Sequence, residues 1–243
     1  MTLDFRKCFL HTSEKGIPLH DMIRNIILDF DGTIGDTQKL IVTTMQQTLA
    51  KNNLPERSVE ECAAMIGLPL KQTFTDLVPM SDEMGNLCEK TYREIFLVNN
   101  KTIPVEMFPH VLETIRNLHQ QGLVLTIASS RYRPSLEDFV NKMHLRPYIS
   151  YIVSAMEVAH AKPDPEMVFL TMKEMEMKPE ETLVVGDTVY DIQMGQRAGI
   201  KTCGVTYGNG TREQMISAKA DYIIDEFPQL INISKVNETE VHV

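Results

Sequence analysis

Short apolar runs alternate along this chain with longer stretches in which apolar residues recur every third or fourth position. The first run, Asn25-Ile26-Ile27-Leu28, ends abruptly in two carboxylates and a glycine, Asp29, Asp31 and Gly32. An apolar run of this length, bounded by turn residues, predicts a strand buried on both faces. Residues 123–128, 151–153, 182–185, 201–205 and 222–224 read in the same way. The intervening patterns are helical. Leu40, Ile41, Met45 and Leu49 share one face, as do Val111, Leu112, Ile115 and Leu118, and Gly122 ends that second helix. Leu136, Phe139, Val140 and Met143 form another such face. Val168, Phe169, Met172 and Met175 are expected to point inward from the next helix, and a last one runs to Ala198-Gly199.

Strands alternating with helices predict an α/β fold with a parallel sheet and right-handed crossovers. One stretch interrupts the alternation. Residues 58–104 read as short amphipathic helices broken by Gly67, Pro69 and Pro79, with no strand pattern, and residues 103–109 read as a linker. Residues 38–105 are therefore expected to be an inserted helical cap, with residues 25–37 and 106–231 forming the core. Residues 1–24 are read as an N-terminal extension and 232–243 as a C-terminal tail.

Composition narrows the class of partner more than the class of fold. The chain is 43% apolar, which suits a globule with a sizeable core. Its formal charge of -9 argues against nucleic acid or an anionic membrane as partner. Cys8, Cys62, Cys88 and Cys203 lack CxxC spacing, a pattern that suits a reducing cytoplasm better than a disulfide framework or zinc site. No signal peptide is expected, because residues 1–24 carry charged side chains such as Arg6, Lys7, Glu14, Lys15, Asp21 and Arg24 and no long apolar core. No run approaches the length of a membrane span. Monomer and homodimer remain open.

The polar residues that matter sit where the strand runs stop, which in such sheets is where ligands bind. Asp31-Gly32 alone is also a turn signature, but a turn does not require a second carboxylate at Asp29. Two buried carboxylates at one sheet tip need a cation between them, and Mg2+ favours hard oxygen ligands. Asp187 ends its own apolar strand as Asp29 does, so Asp29, the Asp31 carbonyl and Asp187 are the expected metal ligands. On this reading Asp29 is the nucleophile toward phosphorus, and Asp31 the acid and then the base. Gly32, with Thr33 beside it, lets backbone approach phosphate oxygens. Ser129, with Ser130, would hold the transferring phosphoryl group, although serine at a strand end is also a common cap. Lys162, before Pro163, would neutralise charge between nucleophile and phosphate. Asp191 would orient Lys162 or bound water; with Asp187 it also suits a helix N-terminus.

Taken in order, Asp29-Phe30-Asp31-Gly32-Thr33, Ser129, Lys162-Pro163 and Gly186-Asp187 with Asp191 resemble the four motifs of the haloacid dehalogenase superfamily. The likeness spans about residues 25–228. It implies a Rossmann-like core of sheet order 3-2-1-4-5, a cap that closes over substrate, and a small phosphorylated molecule as substrate. Ile66-Gly67-Leu68-Pro69-Leu70 and Asp187-Thr188-Val189-Tyr190-Asp191-Ile192 are similar to the phosphoglycolate-phosphatase-like branch. Asp31, an acidic residue that dehalogenases and phosphonatases lack, favours cleavage of phosphate esters or anhydrides. An inorganic pyrophosphatase, a β-phosphoglucomutase-like phosphotransferase and a phospho-accepting receiver module are the alternatives. Thr37 stands where serine is commoner, and the hydroxyl is kept. Lys71, Gln72, Thr73 and Arg93 are the cap side chains from which specificity is expected.

Overall fold

A computed structural model describes residues 22–235 of the chain; residues 1–21 of the expected extension and 236–243 of the expected tail lie outside that range. Strand β1 (Asn25–Leu28) is buried along its whole length. After it come a two-residue strand β2 (Gly35–Asp36) and helix α1 (Gln38–Lys51). Helices α2 (Val59–Ala63), α3 (Leu70–Leu77) and α4 (Asp82–Thr102) follow. The chain then returns through β3 (Glu106–Met107), which pairs antiparallel with β2. From there strands and helices alternate: α5 (Val111–Gln120), β4 (Val124–Ser129), α6 (Arg133–Lys142), β5 (Tyr151–Ser154) and α7 (Glu166–Glu174). The chain closes with β6 (Thr182–Gly186), α8 (Val189–Arg197), β7 (Lys201–Val205), α9 (Arg212–Ser217), β8 (Tyr222–Ile224) and α10 (Leu230–Lys235).

The main sheet is parallel and six-stranded, in the order β5-β4-β1-β6-β7-β8. Counting these six in chain order gives 3-2-1-4-5-6, so β8 extends the expected five-strand order at one edge. Side-chain alternation divides the core between the two sheet faces. Ile26, Leu28, Leu125, Ile127, Leu183 and Val185 pack with α5, α6 and α10 on one side. Ile27, Ala128 and Val184 pack against Met167, Val168 and Met194 from α7 and α8 on the other. Two apolar faces per strand explain why the sequence shows continuous runs rather than alternation. Ile23 belongs to the same core, and Arg24 donates its backbone N–H to the Glu181 carbonyl at 2.9 Å, so the fold begins before Asn25.

Three local expectations are corrected. Residues 82–102, beyond the last expected break at Pro79, form a 21-residue helix longer than the short ones expected, capped by Ser81, whose hydroxyl accepts the Met84 N–H. Cys88, Tyr92, Phe96 and Asn99 fall on a single buried stripe of that helix, and Asn99 donates to Thr44 Oγ1 of α1 at 3.0 Å. Phe169 is 50% exposed, because the buried face of α7 is set by Met167, Val168 and Thr171. The stretch read as a linker contains β3, whose ribbon with β2 carries the chain out to the helices and back. Among the described residues no helix is long and apolar enough to cross a membrane.

Candidate active site

Three adjacent strands stop at the same edge and carry the polar cluster there. Leu28 pairs with Ile127 of β4 and with Val185 of β6. The register therefore brings Asp29 level with Ala128 of β4 and Gly186 of β6, one residue short of Ser129, the last residue of β4, and of Asp187, which follows β6. Asp29 donates its backbone N–H to the Val185 carbonyl at 2.8 Å, prolonging the pairing by one residue. Asp29, Ser129, Asp187 and Asp191 are all buried.

Lys162 arrives from the segment between β5 and α7 and is only 1% exposed. Its ammonium donates to Asp29 Oδ1 and, at 2.7 Å, to Asp191 Oδ1. The other oxygen of Asp191 accepts from the Thr188 N–H at 3.0 Å and the Thr188 hydroxyl at 2.7 Å, closing the first turn of α8. Asp191 is thus saturated by Lys162 and the helix end. Burial alone would lower the Lys162 ammonium, but Asp191 and Asp29 together hold it above its ordinary value. It is a fixed cation.

Asp187 is held from the opposite side. Its Oδ2 accepts from the backbone and side-chain N–H groups of Asn209 at 2.7 and 2.8 Å, and Thr33 Oγ1 lies 3.4 Å from Oδ1. Glycines make this approach possible. Gly32 has φ +87°, and a Cβ there would stand 2.0 Å from Asp187 Oδ2; a Cβ on Gly208 would meet the Gly32 carbonyl at 2.3 Å. Burial, with Asp191 second, pushes the Asp187 carboxyl up to about 7. Burial likewise raises Asp29 well above its ordinary value, only partly offset by Lys162.

Ligand atoms of Asp29, Asp187 and Asp191 lie within 4.8 Å of one another. One ammonium cannot neutralise three ionised carboxylates, so the buried cluster takes up either protons, as the raised Asp29 and Asp187 carboxyls show, or a second cation. An all-oxygen donor set at such a site fits a small hard divalent cation. Since Asp191 is committed to Lys162 and Thr188, Asp29 and Asp187 are the carboxylates that remain to hold one.

The Asp31 carboxylate is not part of this cluster. It accepts from the Thr37 hydroxyl at 2.7 Å and from the Arg131 guanidinium, whose Nε lies 3.0 Å from Oδ2. Arg131 is itself boxed in by the rings of Phe139, Phe96 and Phe30, at 4.9, 5.3 and 6.0 Å from its Cζ. Its backbone N–H donates to Ser129 Oγ at 3.2 Å. Ser130 Oγ donates to the Gly67 carbonyl at 2.6 Å, joining the sheet edge to the α2–α3 loop.

Between this edge and helices α1–α4 lies a cavity of about 460 Å³, with Asp29, Asp31 and Ser129 on its wall. Thr73 and Arg93 reach it. Lys71 and Gln72 do not line it: Lys71 pairs with Asp82 at 2.5 Å, and Gln72 with Asp76 at 3.2 Å. Sequence reasoning assigned no role to Arg131 or Asn209. Arg131 directly follows Ser129-Ser130, and Asn209 sits in the loop after β7, a strand end like the others; those positions were the available signal.

A family model for haloacid dehalogenase-like hydrolases matches residues 26–205. Over 211 residues the chain is 33% identical to pyrophosphatase PpaX of Oceanobacillus iheyensis, covering 87% of this chain and 96% of that one. It is 32% identical, also over 211 residues, to Probable phosphatase IndB of Dickeya dadantii, covering 85% and 91%. A crystal structure from Bacteroides fragilis, described as a haloacid dehalogenase-like hydrolase, matches with a TM-score of 0.78 at 27% identity, covering 86% of this chain and 99% of that one. With the matched family covering five of the six strands, the strand-end carboxylates and the buried lysine, this chain belongs to the haloacid dehalogenase-like hydrolases.

Proposed function

We propose that this hydrolase is a Mg2+-dependent phosphatase that releases phosphate from a small phosphorylated metabolite through a phospho-aspartate on Asp29. The observation that carries the reading is the Lys162 ammonium fixed between Asp29 and Asp191, next to Asp187 and Ser129 at one sheet edge. Asp29 and Asp187, with the main-chain carbonyl of Asp31, are the groups that would hold Mg2+. When bound, the ion offsets charge on phosphate and carboxylate oxygens.

Asp29, oriented by Lys162, attacks phosphorus; the phosphorus–oxygen bond to the leaving alcohol breaks as the phospho-aspartate forms. Ser129 holds the phosphoryl oxygens, assisted by Ser130 where it joins the α2–α3 loop; the expected Gly32 and Thr33 N–H groups are turned instead to the Gly35 and Phe30 carbonyls, at 2.9 and 3.4 Å. Asp31 protonates the leaving oxygen and then removes a proton from the water that hydrolyses the phospho-aspartate. In the present geometry the contacts to the Asp31 carboxylate come from donors, Thr37 and Arg131. That arrangement suits the second, proton-accepting role, and proton delivery requires Arg131 to let go. Residues 38–105 act as the cap: the β2–β3 ribbon is their tether and the Ser130–Gly67 bond a closing contact. Three buried free cysteines, Cys62, Cys88 and Cys203, support a reducing, cytoplasmic setting.

Purified protein is expected to release phosphate from an aryl phosphate with Mg2+, and Asp29→Asn to lower that rate on the order of 10⁴-fold or more while remaining folded. A folded Asp29→Asn protein of near wild-type rate refutes the nucleophile assignment. The likeness to PpaX makes pyrophosphate the second substrate to assay.

A further inference from the structure

The cavity has two unlike halves. Its floor is the polar cluster just described, whereas its roof, supplied by α1, the α2–α3 loop, α3 and α4, is apolar. Ile41, Met45, Leu70, Tyr92 and Phe96 are among the residues that line it, and Leu97 lies at its edge, 67% exposed. A volume of about 460 Å³ lies in the range of roughly 300–1,000 Å³ usual for organic ligands.

The charged side chains that reach the wall, and the Thr73 hydroxyl, are already engaged by protein. Arg93 donates to Glu89 at 2.6 Å and lies 4.3 Å over the Tyr132 ring. Arg131 is held by Asp31. Asp138 takes the Lys142 ammonium at 2.6 Å and lies 3.5 Å from Asn100 Nδ2. The Thr73 hydroxyl is turned to the Met65 and Leu68 carbonyls, at 3.4 and 3.5 Å. The second phosphate of pyrophosphate, or the carboxylate of a phosphorylated hydroxy acid, calls for a cation free to bind it. A sugar calls for several hydrogen-bonding groups facing inward. The roof offers apolar contact instead.

We propose that this site takes a phosphate monoester whose leaving group is an uncharged, mainly apolar alcohol, alkyl or aromatic, in preference to pyrophosphate or a phosphorylated acid. The inference rests on the phosphatase reading above and specifies the substrate class of that same site.

The test is a kcat/KM series on the full chain with Mg2+. It uses n-alkyl phosphates from ethyl to hexyl, 5-carboxypentyl phosphate, 1-naphthyl phosphate, phosphoglycolate and pyrophosphate. Alkyl phosphates share nearly the same leaving-group chemistry, so chain length isolates contact with the roof. The expected rise is roughly fourfold per methylene, and the terminal carboxylate is expected to lower kcat/KM about 100-fold relative to hexyl phosphate. Placing an ammonium at the cavity edge, Leu97→Lys, should narrow that ratio about tenfold or more. A flat alkyl series, or faster turnover of pyrophosphate or phosphoglycolate than of hexyl and naphthyl phosphates, overturns the proposal and leaves the phosphatase reading standing. If none of the substrates is turned over, both fall.

Discussion

Replacing Asp187 by asparagine should stabilise the metal-free protein while abolishing its response to Mg2+, an unusual pair of outcomes for a buried site residue. In the native cluster Asp29, Asp187 and Asp191 face one ammonium, that of Lys162. Burial and Asp191 hold the Asp187 carboxyl at about 7 instead of its ordinary 3.8. The folded chain therefore keeps a proton that the unfolded chain releases between about pH 4 and 7. Because the folded value is the raised one, stability is greatest below this window and is lost as pH rises through it. Above pH 8 the ionised form costs on the order of 4 kcal/mol. Asparagine carries no charge and can still accept from Asn209, whose two bonds are already included in the raised value of Asp187. A gain on the order of 4 kcal/mol corresponds, for a chain of this size, to a melting temperature higher by roughly 8–16 °C. Thermal unfolding in EDTA from pH 4 to 8.5 checks this: the two proteins should nearly coincide at pH 4 and separate progressively as pH rises through 7. Mg2+ at 100 times its Kd adds about 2.7 kcal/mol to the wild type and should add nothing to Asp187→Asn. A variant that melts below wild type in EDTA at pH 8, or equal Mg2+ shifts in both proteins, refutes the placement of excess charge and of the cation site.

Gly32→Ala and Gly122→Ala make a controlled pair, since both glycines have φ near +87° but only Gly32 has neighbours within 4 Å of an added Cβ. Gly122→Ala should cost only backbone strain, about 1–2 kcal/mol, while Gly32→Ala should also displace Asp187 and erase the Mg2+-induced rise in melting temperature; equal Mg2+ responses would contradict the close approach. Arg131→Met removes one partner of a buried ion pair and should lower stability by about 3–5 kcal/mol in urea unfolding. Arg131→Lys should rescue little, because an ammonium cannot reproduce the forked contact to Asp31; full rescue would show that charge alone matters there.

Much of the framework is legible in the chain because its signals are local. A strand buried on both faces must be apolar at successive positions, so β1, β4 and β6 stand out, and the acids ending them stand out with them. Lys162, beside Pro163, and Asp191, at a helix start, were legible from their positions and from the family likeness, and Lys162 does lie between Asp29 and Asp191. Helix α4 was misjudged because polar residues between Cys88, Tyr92, Phe96 and Asn99 dilute a stripe that only α1 completes. Phe169 looked internal because periodicity cannot tell a core phenylalanine from one on the rim of α7. Arg131 and Asn209 carry no periodic signal, and they acquire meaning from partners 100 and 22 residues away.

The order of apolar runs and polar interruptions was enough, then, to determine an α/β chain with an inserted helical stretch and acids at strand ends, since burial and backbone pairing impose those patterns residue by residue. Tertiary structure decided which carboxylates share the lysine, that Asp31 turns instead to Arg131, and that the helices roof the cavity with apolar side chains. Those outcomes depend on distances between segments far apart in the chain, and charge interaction and solvent exclusion depend on distance in space.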